Sequence, residues 1–179
     1  MELLDVLDEN GIKTGEVKNR DEIHKQGLWH RAIIVALVND DNKILIQKRA
    51  KTKEKFPGLW DLSVAGHVPA GEDSMQCASS EVMEEIGTML PRGIQVQNFR
   101  FMTSFRHSIV INENFTENQF YDVFVYRDNI DINKIVVQKE EVEAVKYASA
   151  FEIKELQKEG LMHPRDAWID IVYKYINRF

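Results

Sequence analysis

The chain has few of the residues that would staple, anchor or loosen it. Of its 179 residues one is a cysteine, Cys77, so no intrachain disulfide can form and a reducing, cytoplasmic setting is expected. Only four prolines occur (Pro57, Pro69, Pro91 and Pro164), well scattered. With no repeat, low-complexity tract or Pro/Ser-rich linker to divide the chain, a single domain over 1–179 is expected. Long apolar runs are missing too. The longest, Ala32–Val38, is far short of the roughly 20 residues a membrane helix needs, so no membrane partner is expected. No basic stretch followed by an apolar one opens the sequence, so no secretory signal is expected. Positive charge is in deficit: 23 Lys+Arg stand against 29 Asp+Glu, a net charge of −6. That balance argues against nonspecific nucleic-acid binding, but not against a small phosphorylated ligand held at a local basic spot. What remains is 44% hydrophobic and 29% charged, an ordinary globular composition in a chain long enough to bury a core.

Local patterns supply the elements. Leu3–Leu7 and Thr14–Val17 flank Asp8-Glu9-Asn10-Gly11, and Asn-Gly is a strong hairpin signal. A short helix over Asp21–Gln26 is closed by Gly27. Strands are predicted at Ala32–Val38, Lys43–Gln47, Leu59–Ala65, Val96–Phe105, Ser108–Asn112, Gln119–Tyr126 and Val142–Ala148. Asp73–Ile86 reads as a helix, with Asp73 and Gln76 in a capping-box relation, Met75, Ala78, Val82 and Ile86 on one face, and Gly87 to end it. Pro91 and Gly93 mark a loop. Ala150–Lys158, stopped by Gly160, and a segment after Pro164 running through Trp168 toward Tyr175 are the last helices. Strands mixed with a few helices predict an α/β architecture, a mixed sheet between helical layers.

The chemically informative stretch runs from Gly66 to Thr88. Glu81, Glu84 and Glu85 stand at i, i+3 and i+4, so their carboxylates project from one side of the helix. Side by side they repel by a few tenths of a kcal/mol per pair. A divalent cation would reverse that sign, and hard oxygen donors suit Mg²⁺ or Mn²⁺. A solvated acidic face is the plain alternative for the spacing alone.

The whole string is more specific. Gly66, five residues, Glu72, seven residues, then Ser80-Glu81-Val82-Met83-Glu84-Glu85-Ile86-Gly87 resembles the Nudix box, Gly-x5-Glu-x7-Arg-Glu-apolar-x-Glu-Glu-x-Gly-apolar. It departs at Ser80, where the family has arginine, and at Thr88, where it has an apolar residue. In element order the resemblance extends from Leu3 to Tyr126. It implies a Nudix α/β/α sandwich, here with an N-terminal β-hairpin and C-terminal helices. It also implies a hydrolase that cleaves a diphosphate linkage in a nucleoside diphosphate derivative with Mg²⁺ or Mn²⁺ as cofactor. By this resemblance Glu81 and Glu85 are the main metal ligands, Glu84 assists, and the carbonyl of Ala65 or Gly66 adds an oxygen. Gly66, Glu72 and position 80 then support the ligands. Glu84 and Glu85 are catalytic candidates, and Glu117 is a candidate for the base or for an extra ligand. Serine at 80 supplies neither the charge nor the bidentate fork of the family's arginine.

The flanks carry a second resemblance. Thr14-Gly15, His30-Arg31-Ala32, Gln47-Lys48-Arg49-Ala50, Phe56-Pro57-Gly58-Leu59-Trp60 and Ser63-Val64-Ala65-Gly66-His67 are similar to type I isopentenyl diphosphate isomerase, itself of the Nudix fold. That enzyme uses a cysteine and a glutamate to move protons on an alkene. Their places are taken here by Ala65 and Gln119. An amide cannot exchange a proton as a carboxylic acid can. His30 and His67 match two of that enzyme's metal-binding histidines, His24 is offset by one position from a third, and Glu117 matches a carboxylate ligand. Packing roles for His30 and His67 are the plain alternative.

A basic run, Lys48-Arg49-Ala50-Lys51-Thr52-Lys53-Glu54-Lys55, precedes the Gly66 loop. It reads either as a solvated loop or as a grip on phosphates. Arg49 and Lys53 are the substrate-binding candidates, since they align with diphosphate-contacting positions in the isomerase resemblance. Phe101, Phe105, Phe120 and Tyr121 can stack a base, although strand aromatics are more often core. Dinucleotides, sugar nucleotides and nucleoside diphosphates all stay open as the small-molecule partner. An isomerase-like enzyme and a non-catalytic, ligand-binding Nudix domain are the alternative functions. A homodimer is expected by fold analogy alone.

Overall fold

The computed structural model describes residues 2–54, 56–85, 95–135, 137, 139–164 and 167–176. Their organising strand is β3 (Trp29–Val38), which carries the longest apolar run and is buried almost throughout. Side chains alternate across a strand, so an uninterrupted apolar run requires cover on both faces. Ala32, Ile34, Ala36 and Val38 pack with Ile153, Trp168 and Val172 of α3 (Ala150–Lys158) and α4 (Ala167–Ile176). Ile33, Val35 and Leu37 pack with Cys77, Ala78 and Val82 of α2 (Ser74–Glu85). The result is a mixed sheet between helical layers, the α/β sandwich expected.

One edge of β3 is paired along its whole length, in parallel, with β8 (Phe115–Arg127). The other edge meets three partners in turn. These are β1 (Leu3–Leu7) at Trp29, β6 (Val64–His67) over Ala32–Val35, and β4 (Ile44–Arg49) at Val38. β1 pairs with β2 (Lys13–Asn19), and β4 carries both β5 (Trp60–Asp61) and β9 (Val142–Ala148). The predicted hairpin turn is present: Asp8 Oδ1 accepts from the amides of Asn10 and Ile12, and Gly11 takes the left-handed φ of 81°. Asn19 caps α1 (Arg20–Gln26), which Gly27 ends at φ 61°.

The strand predictions need correction at four points. Leu59–Ala65 is not one strand. Trp60–Asp61 pairs with β4 whereas Val64–His67 pairs with β3, and the chain crosses between them at Ser63. Ser63 Oγ accepts from the Leu37 amide at 2.9 Å and donates to the Leu45 carbonyl, so it stitches β3 to β4 at the crossing. In turn, the predicted break at Arg106-His107 is absent. β7 (Phe99–Asn112) is continuous because β8 pairs with it through Arg106↔Phe120 and His107↔Gln119, and β8 begins at Phe115 rather than Gln119. Val96–Asn98 forms a 3₁₀ turn ahead of β7. The predictions for Ile86, Gly87, Pro91 and Gly93 lie outside the described residues.

Candidate active site

Helix α2 is placed by its cap and its apolar stripe. Asp73 Oδ1 accepts from the Gln76 amide at 2.8 Å, while the Gln76 side chain reaches back to the Asp73 amide at 3.4 Å. Cys77, Ala78 and Val82 point into the core, which turns Glu81, Glu84 and Glu85 toward the end of β6. Glu81 and Glu85 are half-buried and Glu84 is exposed. Gly66 permits this approach: a Cβ there would run into the Glu81 carboxylate, far inside contact distance.

Burial, followed by the charges of Glu84 and Glu2, pushes the Glu81 carboxyl up from 4.5 to about 7. Burial and the neighbouring Glu81 push Glu85 to about 8, against a lowering hydrogen bond from Gln47. The arrangement is therefore costly for bare carboxylates. Hard oxygen donors crowded in this way are the chemistry that a divalent cation of the Mg²⁺ or Mn²⁺ kind fits, and its charge would remove the cost.

These groups line a cavity of about 480 Å³ together with Ala65, Gly66 and Glu117. Arg49 and Lys53 are on the same wall. Arg49 Nη1 lies 3.4 Å from Asp61 Oδ2, and Lys53 is paired with Glu141. The structure thus gathers Ala65, Gly66, Glu81, Glu84, Glu85, Glu117, Arg49 and Lys53 around one space. Glu72 and Ser80 are exposed and lie off the wall. Among the strand aromatics, Tyr121 is buried on the wall, Phe101 is exposed and Phe120 packs on Trp29.

A second polar cluster adjoins the carboxylates. His24 from α1, His30 from β3 and His67 from β6 each place a ring nitrogen within 4.8 Å of the others. His24 and His30 are fully buried, and His67 reaches the cavity. The Nδ1 atoms of His24 and His30 face the carbonyls of Arg20 and Leu28 at 2.7 and 3.2 Å. A carbonyl only accepts, so those nitrogens carry the proton and the Nε2 lone pairs face inward. Gln119 Nε2 donates to His30 Nε2 and His67 Nε2, both at 3.2 Å, while its oxygen accepts from the Tyr121 hydroxyl. Burial pulls the His30 ring down from 6.5 to about 4, so it is held neutral. Neutral imidazoles can hold a borderline cation, in competition with the Gln119 amide.

Sequence reasoning missed Glu2, which lines the cavity and sets Oε1 3.6 Å from His67 Nδ1, and Gln47, which touches Glu85. Glu2 belongs to no local pattern. Gln47 stood in the Gln47-Lys48-Arg49-Ala50 stretch on a strand just ahead of the basic run, but nothing there pointed to Glu85.

Comparison with known proteins extends this picture. The NUDIX domain family matches residues 28–170. Nudix hydrolase 3 of Arabidopsis thaliana is 38% identical over 149 residues, 82% of this chain but 19% of that much longer protein. A Nudix hydrolase of Listeria monocytogenes is 34% identical over 164 residues, 92% of this chain and 89% of its own. An isopentenyl-diphosphate Delta-isomerase 2 of Photorhabdus laumondii is 27% identical over 155 residues, 87% of this chain and 81% of its own. Among solved structures, DR0079 of Deinococcus radiodurans has a TM-score of 0.72 at 20% identity, covering 97% of this chain and 98% of its own. A bifunctional NMN adenylyltransferase/ADP ribose pyrophosphatase of Francisella tularensis, complexed with AMP and a manganese ion, has a TM-score of 0.59 at 15% identity. It covers 82% of this chain and 41% of its own. At these identities the two structures show the fold.

Proposed function

The chain belongs to the NUDIX domain family, and on that footing we propose that it is a divalent-metal-dependent hydrolase that cleaves the diphosphate linkage of a nucleoside diphosphate derivative. One observation carries the reading. Three carboxylates of α2, two of them pushed up to about 7 and 8 by burial and mutual repulsion, face a cavity that also presents Arg49 and Lys53. A diphosphate is itself polyanionic, so carboxylates beside it require a cation between them, whereas the basic side chains can meet its oxygens directly.

When bound, Mg²⁺ or Mn²⁺ would neutralise the diphosphate and acidify the attacking water. Glu81 and Glu85, with the Ala65 carbonyl, are the groups that would hold it. Glu84, which is exposed, and Glu117 on β8 both line the cavity, and one of them would take the proton from water. Arg49 and Lys53 would turn from Asp61 and Glu141 toward phosphate oxygens, an exchange of one carboxylate partner for a more highly charged one. One structural neighbour, an ADP ribose pyrophosphatase complexed with AMP and a manganese ion, agrees in chemical class.

We extend the reading to a single domain over 1–179, a reducing cytoplasmic setting for the one buried thiol, Cys77, and a homodimer by fold analogy. No helix among the described residues is long and apolar enough to cross a membrane. The test is a panel of dinucleotides, sugar nucleotides and nucleoside diphosphates, each assayed with and without Mg²⁺ or Mn²⁺. Metal-dependent release of a phosphate product from at least one is expected. Binding without product release across the panel would make the chain a ligand-binding domain instead.

A further inference from the structure

We infer that Gln47 is the positioning residue for Glu85, taking the place of the box arginine that is absent at Ser80. The inference rests on the reading of Glu85 as a cation-holding group. Ser80 is exposed and its hydroxyl is too short to organise the glutamates from there. The Gln47 amide, from β4 on the opposite side of the cavity wall, does reach one of them. Nε2 lies 3.2 Å from Glu85 Oε2 and 3.2 Å from the Ser63 carbonyl oxygen. Among the described residues, it is the side chain that hydrogen-bonds Glu85.

The geometry leaves the amide one orientation. Nε2 carries two hydrogens, and each has an acceptor. With Glu85 ionised, as it would be when holding a cation, flipping the amide would set its oxygen against a carbonyl and a carboxylate at once, losing two bonds and adding two repulsions. The anchor is rigid as well. Ser63 is 2% exposed, and its hydroxyl is held between the Leu37 amide and the Leu45 carbonyl. A hydrogen-bonded path thus runs from β3 and β4 through Ser63 and Gln47 to a carboxylate on α2.

The chemistry of this substitute differs from that of arginine. A guanidinium orients a glutamate but brings a positive charge beside the place a cation would occupy. A neutral amide orients Glu85 through Oε2, leaves the full negative charge on the group, and leaves Oε1 to turn toward the cavity. An outer-shell partner of this kind typically governs about 10–100-fold in metal affinity or activity.

The test is a double-mutant cycle on the full chain, read by calorimetric titration with Mg²⁺. Mg²⁺ prefers oxygen donors, which keeps it off the histidine cluster. Gln47→Met, close in size but without donors, should weaken Mg²⁺ binding by about tenfold or more and lower turnover with it. In the Glu85→Gln background the same change should cost less than about twofold, because coupled residues are not additive. Equal losses in both backgrounds, or unchanged affinity in Gln47→Met, would overturn the inference. Thermal midpoints confirm folding, and Gln47→Leu, which also lacks a donor but adds no cation ligand, replaces Gln47→Met should that variant not fold. Mg²⁺ binding that depends on Glu85 without turnover on any substrate would sink the hydrolase reading and leave this one standing. Mg²⁺ binding indifferent to Glu85→Gln would overturn both.

Discussion

The carboxylates of α2 and the histidines of α1, β3 and β6 are neighbours with opposite electrostatic designs. Burial acts on both. It raises Glu81 and Glu85, because an anion loses its hydration, and lowers His30, because a cation does. The histidines answer much of this cost internally: carbonyls fix the protons of His24 and His30, and the Gln119 amide covers the lone pairs of His30 and His67. The carboxylates do not. Among the described residues Glu85 has a single amide donor, and Glu81 is pressed against Gly66 beside two other acids. Of two polar clusters, the one left in electrostatic debt is the one built to receive something. That contrast places the proposed chemistry on α2.

The sharpest way to break the comparison is to ask the histidine end for chemistry. Isomerisation of isopentenyl to dimethylallyl diphosphate needs a proton donor and acceptor across a flat alkene, and Ala65 and Gln119 can be neither. No conversion above a buffer blank is expected from the purified protein, and metal-dependent cleavage of a nucleotide diphosphate is expected in its place. Isomerase turnover would reverse the assignment.

Next in size is the direct contrast of single substitutions. Glu85→Gln, which removes a charge with little change of shape, should lower turnover by about two orders of magnitude while the fold persists. His30→Gln should change it by less than about threefold provided its thermal midpoint is retained. Equal losses in steady-state assays would make the two clusters one site.

Stability against pH gives a smaller but signed difference. Glu81 and Glu85 bind protons more tightly folded than unfolded, so their contribution is full below about 4.5 and is lost as pH rises toward about 7 and 8. His30 binds its proton less tightly folded, so its contribution is full above about 6.5 and is lost as pH falls toward about 4. Without divalent cation, the thermal midpoint should therefore decline from pH 6.5 to 8, and Glu85→Gln should flatten that limb. Added Mg²⁺ should stabilise more at pH 8 than at pH 6, since cation and protons compete for the same oxygens. A Mg²⁺ effect independent of pH would remove the carboxylates from the binding site.

The smallest effect is expected at Ser80. With Gln47 already on Glu85 and position 80 exposed, Ser80→Arg should alter turnover by less than about twofold. A gain of tenfold in the same assay would mean that Glu85 is loosely held after all.

Much of this site was legible before any fold was known, wherever the relevant geometry is periodic. Helical spacing put Glu81, Glu84 and Glu85 on one side, the Asp73–Gln76 pair marked the start of α2, and the unbroken run in β3 required two covered faces. The strand errors came where no period applies. The chain crosses from one partner strand to another at Ser63, and β7 stays extended through Arg106-His107 only because β8 lies beside it.

By itself, then, the sequence determined the local surfaces: which helix is acidic on one side, which strand is apolar on both, and where the caps and turns fall. Those follow from backbone periods that act over a few residues. Tertiary structure alone decided which surfaces meet. His24, His30 and His67 come together from three elements, Glu2 arrives beside His67, and Gln47 finds Glu85 38 positions away. Such meetings depend on sheet order and on the packing of α2 over β3, and no local propensity encodes the distance between two side chains that only the closed core brings into contact.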